Sequence, residues 1–117
     1  MTYWYYPLRV VEAELGRSRD WFASAVSAEG VGCGTWLGKP LYFFEVFSEG
    51  RTFGTSHYPF DSPYASRRVE YRPGLCPNAE RVLEELTVLT VHEFYSEQDV
   101  DDMAAAVRKV AEASAKG

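Results

Sequence analysis

The most regular pattern of apolar and polar positions lies at the C-terminal end. Val100, Met103, Ala104, Val107 and Ala111 recur at i, i+3, i+4, i+7 and i+11. That period predicts an amphipathic helix. Ser96 precedes the stripe with Asp99 three residues on, a capping box with Asp in the third position. Glu97, Asp99, Asp101 and Asp102 crowd the start, and Arg108, Lys109 and Lys116 lie toward the end, an order that complements the helix dipole.

Weaker patterns precede it. "TVLTV" is too apolar to be exposed on both faces and predicts a short strand, Val88 to Val91 carrying the chain into a "HEFY" junction. "CPNAERVLEEL" predicts a helix with Pro77 at its first position and Ala79, Val82, Leu83 and Leu86 on one face. Near the N-terminus, Tyr3, Tyr5, Leu8 and Val10 alternate around Pro7. Proline cannot donate to a ladder, so this strand belongs at a sheet edge or is bulged there. The chain enters the strand without a lead-in, as a piece of a longer protein would. Ser18 is an N-cap candidate for a helix over Arg19 to Glu29, with Phe22, Ala25, Val26 and Glu29 at helical spacing and Gly30 as its stop. "VGCGTW" starts a short strand in which Gly32 and Gly34 permit close approach of a backbone or a ligand.

Residues 37–76 are the least regular. "PLYFFEVF" predicts a short helix opened by Pro40 at its first position. The rest reads as a long ordered loop, because Phe53, His57, Tyr58, Phe60 and Tyr64 are not the composition of a disordered segment. The order of elements predicts an α+β fold, a small antiparallel or mixed sheet of about three strands with helices packed on one side. Residues 1–117 form one domain in this reading.

Composition narrows the function classes. A 46% hydrophobic and 25% charged chain is globular. A net charge of −5 supplies no basic face for nucleic acid. No apolar run approaches the ~20 residues of a membrane span, and "MTYWYYPLRV" lacks the layout of a signal peptide. Cys33 and Cys76 have no C-x-x-C spacing, which predicts reduced thiols in a cytoplasmic protein.

The sequence holds no phosphate loop, H-E-x-x-H or G-x-S-x-G motif. Cys33, His57, Cys76 and His92 match no zinc spacing, so no metal is expected, and nothing supports a Cys–His nucleophile pair. Lys39 stands between Gly38 and Pro40 before an aromatic cluster. It is either a loop lysine or a cation facing an anionic ligand. Arg51, beside Thr52 and Gly54, is either exposed or a fork for a carboxylate or phosphate. Trp36, Tyr42, Phe53, His57 and Tyr58 pack a loop or line a site. His92 and Glu93 end the last strand because the chain reaches the surface, or because they border a site.

These residues resemble a known family. "LCPNAERVLEELTVLTVHEFYSEQDVDDMAAAVRKVAE" is similar to the C-terminal end of DegT/StrS-type sugar aminotransferases. Cys76, Pro77, Ala79, Glu80, Leu89, His92, Ser96, Glu97, Asp99, Val100, Val107, Arg108 and Lys109 fall on that pattern. "GKPLYFFEVF", "RTFGTSHYPF" and "YWYYPLRV" look like upstream stretches of the same enzymes. Thr90 departs from it, standing where the family usually has proline. The resemblance implies the small C-terminal domain of a fold-type-I enzyme that uses pyridoxal phosphate to aminate a keto-sugar, typically nucleotide-linked. It implies that the aldimine lysine and cofactor belong to a large domain outside this chain, so no catalytic residue and no bound cofactor are expected here. Trp36, Lys39, Tyr42, Arg51, His57 and His92 would form a substrate-facing wall. The partners it implies are that large domain, the keto-sugar and a second copy in a homo-oligomer. Two other readings remain: a stand-alone α+β ligand-binding module, and a domain that dimerises through its aromatic first strand.

Overall fold

The computed structural model describes residues 4–114. In chain order its elements are β1 (Tyr5–Arg9), α1 (Glu12–Leu15), α2 (Arg19–Ala28), β2 (Cys33–Thr35), a 3-10 turn (Leu41–Phe43), α3 (Glu45–Ser48), α4 (Pro77–Glu85), β3 (Leu86–Thr90) and α5 (Glu97–Ser114). The chain gathers into two compact units, Met1–Gly38 with Glu84–Gly117, and Lys39–Leu83.

The first unit is α+β. Its three strands run in the order β1-β3-β2, with both neighbours antiparallel to β3. Pro7 lies in an edge strand, opposite Val88, where a missing N–H leaves the ladder to β3 intact. Side chains alternate across a strand. Leu89 and Leu8 therefore join Val10, Phe22, Val26, Val31, Ala106 and Val110 in the core on the helix side. Tyr5, Val88 and Thr90 point to the other side, with Tyr5 paired to Thr90 and Gly34 to Val88.

Local signals set the helix ends. The Ser18 hydroxyl accepts from the Trp21 N–H at 3.2 Å, and Gly30 follows α2 at φ +90, a conformation that strains any residue with a Cβ. At α5 the Asp99 N–H donates to Ser96 Oγ at 3.2 Å, while Ser96 N–H donates back to Asp99 Oδ2 at 2.7 Å. The capping box is reciprocal.

The apolar stripe of α5 is rotated from the sequence expectation. Ala106, Val110 and Ser114 are buried, Met103, Val107 and Ala111 pack against the core, and Val100 is 54% exposed. Ala104 is exposed as well. Three consecutive alanines give a wide arc of equal hydrophobicity, and packing on α2 selects the side containing Ala106. The four-residue α1, which no apolar period marks, is closed by Gly16 at φ +76.

In the second unit, Pro40 flanks a 3-10 turn instead of opening an α-helix, and extended Phe44 separates that turn from α3. α4 begins at Pro77 as expected, yet none of its residues is buried, and Val82 is 42% exposed. Residues 49–76 hold no helix or strand. Phe47, Phe60 and Tyr71 pack there with ring centroids 5.6–6.0 Å apart. No helix among the described residues is long and apolar enough to cross a membrane.

Phe22→Ala is expected to cost about 3–5 kcal/mol of unfolding free energy, because the ring is buried. Val100→Ala should stay within about 0.5 kcal/mol. Urea denaturation followed by circular dichroism distinguishes the two. A large loss from Val100→Ala would contradict the rotated stripe.

Candidate functional site

The outer face of the sheet carries a hollow. Tyr5, Gly32, Cys33, Gly34, Thr35, Trp36, Leu37, Val88 and Thr90 line about 460 Å³ of open space. Antiparallel register brings Tyr5 and Thr90 together although they are far apart in sequence. Trp36 meets the Tyr5 ring edge-on, with centroids 4.7 Å apart, and Trp4 stacks on Tyr5 at 5.3 Å. Such edge-to-face pairs hold each ring in place. Gly32 is a close approach: a Cβ there would meet Thr90 Oγ1 at 3.3 Å. A Cβ at Gly34 would meet nothing within 4 Å. Beneath this face the Cys33 thiol lies 3.3 Å from Thr87 Oγ1, and its partial burial pushes its pKa up.

His92 belongs to the β3–α5 junction. Its Nδ1 accepts from the Phe94 N–H at 3.3 Å, and its ring packs on Tyr95 at 3.8 Å. Asp99 is held below the usual carboxylate range, first by the Ser96 hydroxyl and backbone N–H, with a smaller contribution from His92. His92 thus helps shape a turn.

Tyr42, Lys39, Arg51 and His57 fall in the second unit, and each has a partner within it. The Tyr42 hydroxyl donates to the Glu80 carboxylate and accepts from the Cys76 N–H at 3.2 Å. Gly74 N–H donates to the same Glu80 oxygen at 2.7 Å. This network ties the 3-10 turn to the start of α4. The Tyr42 hydrogen bond holds the Glu80 carboxyl low, with help from the Gly74 and Cys76 N–H groups. Desolvation, then Glu80, raises the Tyr42 phenol. Arg51 pairs with Glu45 at 2.7 Å and Glu49 at 2.8 Å, so its fork is occupied by its own loop. His57 Nδ1 lies 3.2 Å from the Gly50 carbonyl, which can only accept, so the ring nitrogen donates. Lys39 Nζ sits 4.7 Å over the Phe44 ring, a cation–π contact.

The structure therefore groups the candidates as Trp36 and His92 in the first unit and Lys39, Tyr42, Arg51 and His57 in the second. Of the six, only Trp36 lines the hollow. Tyr5 and Thr90 were not among the candidates, because cross-strand pairing is what joins them. Glu80, a motif residue with no assigned partner, anchors the second unit.

Among the described residues no three His, Cys, Asp or Glu side chains gather as metal ligands. A pyridoxal phosphate imine needs a lysine amine free to condense and an acid for the ring nitrogen. Lys39 lies over the Phe44 ring and Lys109 pairs with Glu29 at 2.6 Å, and Lys116 lies outside the described residues. Set against models of known protein families, curated proteins and solved structures, the chain matches none of them.

Glu80 and Asp99 titrate lower folded than unfolded, so each contributes stability above the ordinary carboxylate range and loses it as pH falls through the depressed folded value. Tyr42 titrates higher folded, so its contribution is present below the ordinary phenol value and is lost as pH rises through the folded one. The Gly74 amide resonance should follow Glu80 with a midpoint below about pH 4.3, the ordinary glutamate value. Glu80→Gln should abolish that titration. A midpoint at or above the ordinary value would refute the network.

Proposed function

We propose that this chain is the C-terminal small domain of a pyridoxal-phosphate-dependent transaminase that aminates a keto-sugar, typically one linked to a nucleotide. It supplies a substrate-facing wall and domain closure, and the chemistry belongs to a large domain. One observation carries the reading: the three-stranded sheet is clad by helices on one face, while its other face presents an aromatic-walled hollow of ligand size. The residue pattern from Cys76 to Lys109 supports it. So do the two described lysines, each engaged within its own unit. In this reading Trp36 faces substrate directly. Tyr42, Arg51, His57 and Lys39 shape the aromatic unit, and His92 holds the turn into α5. The protein works in the cytoplasm, with Cys33 and Cys76 as free thiols, and as a homo-oligomer.

A second reading, a stand-alone ligand-binding module, draws on the fact that all nine residues of the hollow come from one unit. Gene context separates the two. The transaminase reading expects an open frame continuing upstream of Met1 and encoding a lysine-bearing cofactor domain. The full-length product should convert a keto-sugar nucleotide with glutamate as donor, and Trp36→Ala should lower kcat/KM by about tenfold or more, the loss of one stacking contact of about 1.4 kcal/mol. A stop codon and ribosome-binding site immediately before Met1 would overturn it.

A further inference from the structure

We propose that the outer-face hollow binds an uncharged, hydroxylated ring of hexose size, and that any phosphate of the same ligand lies outside it. A volume of about 460 Å³ falls within the roughly 300–1,000 Å³ range of small-molecule sites. None of the nine lining residues is Asp, Glu, Lys, Arg or His. A charged group placed there would find no counter-charge on the walls. A neutral ring needs none.

The walls suit a ring with one apolar face and a polar edge. Trp36, 45% exposed, keeps part of its indole free while Tyr5 braces it. Thr90 contributes a hydroxyl, Tyr5 a phenol and Trp36 an indole N–H, the groups that hydrogen-bond sugar hydroxyls. Gly34 lies opposite Val88 and leaves the middle of the face clear, since a Cβ there would touch nothing. Choosing a sugar over another neutral ring rests on the transaminase reading; the site itself rests on the lining residues.

The test is a titration of the ¹⁵N-labelled chain, followed at the Trp36 indole and Gly34 amide, with methyl α-glucopyranoside, uridine and inorganic phosphate in parallel. Saturable shifts with the glucoside and none with phosphate are expected. Gly34→Leu, which fills the hollow without a clash at Cβ, should abolish saturation while the rest of the spectrum stays native. Should that variant lose its native spectrum, Trp36→Ala at a half-exposed position provides the same comparison. No saturable response to the glucoside, an equal response to phosphate, or unchanged binding in the folded variant would overturn the proposal. A response to uridine alone would overturn the sugar assignment. Each outcome is independent of the upstream gene context, so this site and the transaminase reading fail separately.

Discussion

The first unit depends on how one buried hydroxyl is satisfied. Thr87 is fully buried in the middle of the central strand, and an unpaired hydroxyl there would be costly. Its Oγ1 donates to the Gly34 carbonyl at 2.7 Å, which leaves its lone pairs to the Cys33 thiol at 3.3 Å. These contacts tie β3 to β2 in one register. A slip by one residue would strand the hydroxyl and turn Leu89 out of the core. The same register places Val88 and Thr90 on the outer face, where Tyr5 and Trp36 complete the hollow.

The second unit is stabilised differently. It has no sheet and only short helices, so its loops are held by a few specific contacts. Phe47, Phe60 and Tyr71 supply apolar packing. Tyr42, Glu80 and the N–H groups of Gly74 and Cys76 supply a polar anchor at the start of α4. Arg51 is drawn into this economy of local pairing by Glu45 and Glu49. The candidates Tyr42, Arg51, His57 and Lys39 all make contacts with neighbouring groups of this unit.

How much was legible varied with the range of the interaction. The Ser18 cap, the Gly30 stop, the Ser96–Asp99 box and Pro77 at the head of α4 all depend on residues within a turn of one another, and all were readable. Pro7 pointed to a sheet edge or a bulge, and β1 is an edge strand. The buried side of α5 did not, because Ala104, Ala105 and Ala106 are equivalent until α2 packs against one of them. Trp36 was recognisable as a candidate by its type, whereas Tyr5 and Thr90 were not.

The sequence by itself determined the α+β class, the order of the main elements and the positions of their caps, because periodicity and capping act over three or four residues. Tertiary structure decided which face of α5 is buried, which aromatic rings meet, and which candidate side chains are already paired. Those outcomes depend on strand register and on contacts between residues dozens of positions apart. The hollow exists only once β1, β3 and β2 are laid side by side.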